Sequence, residues 1–231
     1  MIWPLARRAR VTLAPDEARR LAALKAAPQP DPRTPIADLR WVVVDVETGG
    51  LNPYAHPLFS IGAVENRNGP IPVGGGFEAR PQQAAGTPHE NNLVHGLTHS
   101  LQRSGMAASS ALLNFAEFAG GGPFVAFHAG FDRTALAVAM RKALGWDFPG
   151  RWLDAAVIAP LLFPRLAGEC RSLDDWLAAL SIENYARHSA VADAAATAQL
   201  WLILLEAATR QHIRTLKEME KLAQARKWLG L

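Results

Sequence analysis

One cysteine, Cys170, in 231 residues excludes an internal disulfide framework and a cysteine-based zinc site, and it suits a reducing compartment. Neither sign of charge is in large excess. The 24 Lys and Arg against 21 Asp and Glu leave a formal +3 and a pI near 9.3. That balance is compatible with a polyanionic partner but falls far below the charge density of a DNA-coating protein. Uninterrupted apolar runs of membrane-spanning length are missing. The longest apolar stretch, Ala190 to Ala208, is broken by Asp193, Thr197, Gln199 and Glu206, and reads as a buried helix. Met1 to Arg10 holds Trp3-Pro4 and three arginines without an apolar core of signal-peptide length, so a soluble, cytoplasmic protein with no membrane contact is expected. Repeats and low-complexity tails are also absent. With 49% hydrophobic residues, the chain can bury the core of one domain with extensions.

What is present centres on Trp41-Val42-Val43-Val44-Asp45-Val46-Glu47-Thr48-Gly49-Gly50-Leu51. Four bulky residues of high strand propensity lead into Asp45 without a polar break, the pattern of a central strand buried on both faces. Side chains alternate along a strand, so Asp45 and Glu47 share a face at its carboxyl end. Two such charges in a low-dielectric site require either a proton or a cation. The glycines that follow turn the chain and admit close backbone approach.

Around this strand the pattern predicts a domain over residues 39–208, preceded by an arm (1–38) and followed by a C-terminal helix (209–231). The arm combines a short helix from Pro15 with a stiff linker carrying Pro28, Pro30, Pro32 and Pro35, and is placed outside the core. Strands are expected at 58–64 and 71–77 about an Asn66 to Gly69 turn, giving a three-stranded meander. The next loop contains His89, His95 and His99, at spacings too irregular for a metal site, so it is read as solvated. A helix is predicted from Met106 to Phe118, then a strand at Pro123 to Phe127, then a helix beginning near Phe131-Asp132.

On that helix Asp132 shares a face with Leu136 and Met140. It is either a helix-dipole acid or a core-facing carboxylate in need of a partner. Arg151 to Phe163 reads as a strand containing Asp154 that passes into a helix, and Ser172 starts a short amphipathic helix. A long helix then opens at His188-Ser189-Ala190-Val191-Ala192-Asp193-Ala194. Ser189 is expected as its cap, Asp193 heads an apolar stripe, and His188 sits in the preceding loop where it can lean over the same site. Arg210 to Trp228 is helical in pattern.

The order Asp-x-Glu on a strand, Phe-Asp at a strand-to-helix turn and His-x-Ala-x-x-Asp opening a late helix resembles the DnaQ-like 3′–5′ exonucleases of the DEDDh branch. The resemblance covers about residues 40–207 and includes His95-Gly96-Leu97-Thr98. It implies an α/β fold of the ribonuclease H-like kind, a five-stranded mixed sheet with helices on both faces. It further implies that Asp45, Glu47, Asp132 and Asp193 hold two Mg²⁺ or Mn²⁺ ions, and that His188 is the general base. Contacts to the terminal nucleotide would come from Thr48, Gly49, Leu51, His95, His128 and Phe131. The chain departs from many relatives in having Phe127-His128 where they have His-Asn, and Gly49 where threonine is common.

The implied activity is metal-dependent removal of nucleoside 5′-monophosphates from the 3′ ends of single-stranded DNA or short RNA. A noncatalytic or proofreading-type subunit that chiefly binds a DNA polymerase is the rival reading. Neither a Gly/Pro-rich linker after residue 207 nor a clear clamp-binding motif supports that rival, and the complete acid set is more than a scaffold needs. An endonuclease on the same fold is disfavoured by the exonuclease spacing of His188 and Asp193. The two terminal helices would suit a homodimer.

Overall fold

Trp41–Thr48 forms β1, and its alternation divides the core in two. Trp41 and Val43 are buried on one side of the sheet, and Val42, Val44 and Val46 on the other. The computed structural model describes residues 11–67, 69, 71, 75–83, 105–184, 186 and 189–229. β2 (Leu58–Asn66) pairs antiparallel with β1, and β3 (Gly76–Ala79) pairs antiparallel with β2. β4 (Phe124–Ala126) and β5 (Trp152–Asp154) extend the sheet in parallel on the other side of β1. The order β3-β2-β1-β4-β5 is the expected five-stranded mixed sheet.

The third strand lies later than predicted. Val64 pairs with Gly76, so Asn66 belongs to β2 and the connection is longer than a tight turn. Phe77, stacked on Phe118, is the bulky residue that anchors the pairing directly after Gly76.

One face carries α1 (Pro15–Ala26), α2 (Ala108–Ala119) and α3 (Ala129–Leu144), whose Leu21, Leu112, Phe115, Leu136 and Met140 meet Val42, Val44 and Val46. The opposite face carries α4 (Ala155–Leu162), α5 (Leu173–Ala179), α6 (Ala190–Arg210) and α7 (Leu216–Leu229). α6 is apolar and long enough to cross a membrane by composition alone. Its Ala194, Ala198, Trp201 and Leu204 are buried in the core instead, with the Trp201 ring edge-on to Trp41.

The C-terminal helix expected from Arg210 onward is present but starts later, at Leu216. α6 runs on to Arg210, and His212 takes a left-handed φ of 63° before α7 begins. Thr215 and Glu218 supply the local reason, since the Glu218 carboxylate accepts the backbone N–H groups of Arg214 and Thr215 and restarts the helix there.

The arm threads between the two layers. Arg20 forks onto the Glu117 carboxylate at 2.7 Å, and Leu21 is buried against α2. Further on, Ile36 is buried in the opposite cluster, and the Thr34 carbonyl accepts the N–H of Leu216.

Candidate active site

β4 is short and pairs with β1 only at Val42 and Val43, so the last residues of β1 run on past it at the carboxyl edge of the sheet. An open strand end of this kind leaves backbone donors to be satisfied and makes a crevice. Asp45 and Glu47 stand there, both half-buried. Asp193, in the first turn of α6, is buried beside them. One carboxylate oxygen from each of the three lies within 4.8 Å of the others. Three acids at that separation, on two rigid elements, fit a hard divalent cation. Asn184 donates from Nδ2 to Asp193 Oδ1 at 2.6 Å and orients that carboxylate.

Asp132 reaches the same edge from the other face of the sheet. α3 begins at Ala129, earlier than predicted, because His128 serves as its N-cap in a left-handed conformation. The start two residues earlier places Asp132 in the first turn of the helix, where Oδ1 accepts the N–H of Val46 at 3.0 Å. The aspartate thus replaces the neighbouring strand that β1 lacks here. It is 4% exposed, and burial pushes its carboxyl up to about 8, with the nearby charges of Asp154 and Glu47 adding to the rise. Its own N–H and that of Val46 pull the other way. Of the two sequence readings, the core-facing carboxylate is the one realised.

The remaining candidates divide. The Thr48 hydroxyl donates to the Gly50 carbonyl at 2.7 Å and is buried, so its side chain builds the turn. Gly49 has Pro57 and Phe59 side-chain atoms 3.1 and 3.2 Å from where a Cβ would be. Leu51 projects from the turn, 89% exposed. His128 is exposed with its ring edge-on to Phe127, and Phe131 is half-buried against the α3 face of the core. His95 and His188 lie outside the described residues. Ser189 is the N-cap residue of α6 as expected, but its hydroxyl makes no cap bond; its carbonyl accepts the Asp193 N–H at 2.9 Å.

Two residues at the site escaped the sequence reading. Asn184 sits in a loop with no periodicity to flag it. Asp154 was visible as an acid between a strand and a helix, but its neighbourhood with Asp132 arises only from sheet order.

The exonuclease family model, of the RNase T type, matches residues 42–201. A DNA polymerase III subunit epsilon-like protein of Rhodobacter capsulatus is 31% identical over 185 residues, covering 79% of this chain and 26% of that protein. The PolC-type DNA polymerase III of Thermotoga maritima is 29% identical over 185 residues, covering 80% of this chain and 13% of the polymerase. The chain therefore corresponds to about a quarter or less of the length of these relatives. Among solved structures, E. coli exonuclease I in complex with a dT13 oligonucleotide superposes with a TM-score of 0.64 at 16% identity, over 76% of this chain and 43% of that one. Exonuclease X in complex with 5′ overhanging duplex DNA gives 0.61 at 18% identity, over 79% and 99%. These likenesses establish the α/β, ribonuclease H-like fold.

Proposed function

The chain belongs to the exonuclease family, and from that premise we propose that it is a metal-dependent 3′–5′ exonuclease acting on single-stranded DNA or short RNA and releasing nucleoside 5′-monophosphates. The observation that carries this reading is the triangle of Asp45, Glu47 and Asp193 oxygens within 4.8 Å, with Asp132 brought to the same edge by α3. These four acids are the residues that would hold Mg²⁺ or Mn²⁺. When bound, such ions would supply the Lewis acidity that stabilises the attacking and leaving oxygens of a phosphodiester displacement. An all-oxygen ligand set suits these cations, and the cluster of Asp45, Glu47 and Asp193 contains no cysteine.

The protein's own contributions are positional. His188, five residues before Asp193, is assigned as general base, since imidazole titrates near neutral pH and can accept a proton from water. Leu51, exposed at the tip of the turn, provides an apolar wedge against the terminal base. Phe131 and His128 line the α3 side, and backbone groups at Thr48 and Gly49 stand where the terminal nucleotide would be held.

The test is digestion of a 5′-labelled single-stranded DNA and the matching RNA with Mn²⁺, using EDTA and Asp45→Ala as controls. A ladder shrinking from the 3′ end, absent in both controls, is the expected result. Internal cuts, or equal activity in Asp45→Ala, would overturn the assignment.

A second reading has its own observation. The relatives found by sequence are polymerase-associated by name, DNA polymerase III PolC-type and epsilon-like proteins. On that reading the domain edits the 3′ end made by a DNA polymerase that it binds. Co-purification with a polymerase subunit, and nuclease activity raised by that subunit, would favour it over a free-standing enzyme.

A further inference from the structure

We propose that Asp154 is a positioning residue for the nuclease reaction: its carboxylate clamps the left-handed turn at His128 and so seats the start of α3, with Asp132, against β1. The inference rests on the exonuclease reading for its kinetic consequence, but not for its structural one.

The parallel ladder between β4 and β5 ends at the pair Ala126 and Asp154. Immediately beyond, the chain leaves β4 and must reverse into α3 within a few residues. It does so through His128, at φ 64° and ψ 48°. A non-glycine residue is uncommon in this region and needs support from its surroundings. The His128 side chain makes no capping bond. Support comes instead from Asp154, whose Oδ1 accepts the His128 N–H at 3.0 Å. The same oxygen accepts the N–H of Ala156 at 3.0 Å and caps α4. One carboxylate oxygen therefore ties the entry of α3 to the entry of α4.

From that fixed point the geometry runs to the reacting edge. The His128 carbonyl accepts the N–H of Phe131 at 3.0 Å, Ala129 is buried, and one residue past Phe131 the Asp132 Oδ1 meets the N–H of Val46. The start of α3 is held at its two ends by carboxylates, Asp154 on the turn and Asp132 on β1. Release of the first leaves His128 free to return to negative φ. The first turn of α3 would then shift, and Asp132 with it. Displacements well below the width of a side chain are costly at a reacting centre.

Three variants separate this role from that of a fifth metal ligand. Asp154→Asn keeps the accepting oxygen and removes the charge. Asp154→Ala removes both. His128→Gly relieves the left-handed strain, because glycine adopts positive φ freely. The expected result is kcat within about 3-fold of wild type for Asp154→Asn, and a loss on the order of 10- to 100-fold for Asp154→Ala. KM should move little in either. In a double-mutant cycle, Asp154→Ala in the His128→Gly background should cost much less than in wild type.

The structural readout uses metal-free protein: the amide signals and hydrogen exchange of His128 and Val46 by NMR. Asp154→Ala should accelerate exchange at both, while Asp154→Asn leaves Val46 protected. Equal damage from Asn and Ala would overturn the proposal in favour of a charge or ligand role, as would additive effects in the cycle. If wild type cleaves no nucleic acid, the function fails while the amide data still decide the positioning. If Asp154→Ala does not fold, the Asn variant and its Val46 exchange carry the test.

Discussion

Asp45 and Gly62 are directly opposed across the antiparallel pair of β1 and β2, and a Cβ on Gly62 would stand 2.0 Å from the carbonyl carbon of Ala190 and 2.2 Å from the amide nitrogen of Val191. The backbone of α6 rests on that glycine. This contact brings Asp193, one turn further on, within reach of Asp45 and Glu47. The clash is with backbone, so no side-chain rotation relieves it. Gly62→Ala is expected to push the start of α6 away from the sheet and destabilise the protein by about 3 kcal/mol, the upper range for overpacking. Mn²⁺ affinity should fall with it. Thermal melts with and without Mn²⁺ and titration calorimetry check both, and a variant with native melting and native affinity would deny the contact its role.

Asp132 makes the stability of the metal-free protein depend on pH. Its native carboxyl is pushed up to about 8, mainly by burial, whereas an unfolded aspartate titrates near 3.9. Between those values the native state keeps a proton that the unfolded chain has released. Stability from this group is therefore highest below about pH 4 and is lost as pH rises toward 8. Asp132→Asn preserves an oxygen to accept the Val46 N–H and does not titrate. In EDTA, the melting temperature of wild type relative to Asp132→Asn should fall steadily from pH 5 to 8.5. Parallel curves would mean that Asp132 ionises normally.

The crowding of Asp45, Glu47 and Asp193 leads to an opposed pair of outcomes. Asp193→Asn removes one of three like charges from a largely buried position, so the metal-free variant is expected to melt at or above wild type. Its Mn²⁺-induced stabilisation should shrink and its nuclease activity drop by on the order of 100-fold or more, beyond the range for outer-shell partners. Differential scanning fluorimetry across a Mn²⁺ series, set beside the oligonucleotide assay, measures both. A variant with lower metal-free stability and intact Mn²⁺ response would show that the three acids do not share an ion.

Leu51 differs from these because nothing in the fold needs it. At 89% exposure, truncation to alanine should change stability by no more than about 0.5 kcal/mol. If the side chain wedges against the terminal base, Leu51→Ala raises KM for single-stranded oligonucleotides several-fold. Steady-state kinetics with unchanged melting is the expected combination. Unchanged kinetics would remove Leu51 from the substrate path.

The parts of this protein legible in its sequence are those set by local periodicity. The unbroken Trp41 to Val44 run specified a central strand, and alternation put Asp45 and Glu47 on one face, both as observed. The stripe of Asp132, Leu136 and Met140 specified a helix face, and all three are buried. What escaped depends on contacts far apart in the chain or on backbone conformations without a marker residue. His128 in a left-handed cap moved the start of α3, and nothing about histidine announces that conformation. The link from Asp154 to His128 spans 26 residues and exists only because β4 and β5 are neighbours. A boundary between α6 and α7 is expected, but α7 starts at Leu216 rather than near Arg210, in a stretch whose apolar spacing gives no sign of the delay. Ile213 keeps the helical period while His212 leaves the helix.

The N-terminal arm supplies the last prediction, because its sequence and its packing suggest different things. A proline-rich linker reads as an appendage, yet Ile36 is 4% exposed and lies in the cluster with Trp41, Trp201 and Met219. The Ile36 carbonyl accepts the Trp41 indole N–H at 3.1 Å, and its N–H donates to the Arg214 carbonyl at 2.8 Å. The arm thus joins the first strand of the sheet to the entry of α7. Ile36→Ala removes side-chain volume from the middle of that junction, with an expected cost of about 2–4 kcal/mol. If the arm folds with the domain, the loss appears as a single unfolding transition shifted to lower denaturant with the same slope. If the arm is separable, the main transition stays in place and a smaller one appears below it. Urea unfolding followed by tryptophan fluorescence distinguishes the two directly, since Trp41 lies at the contact itself.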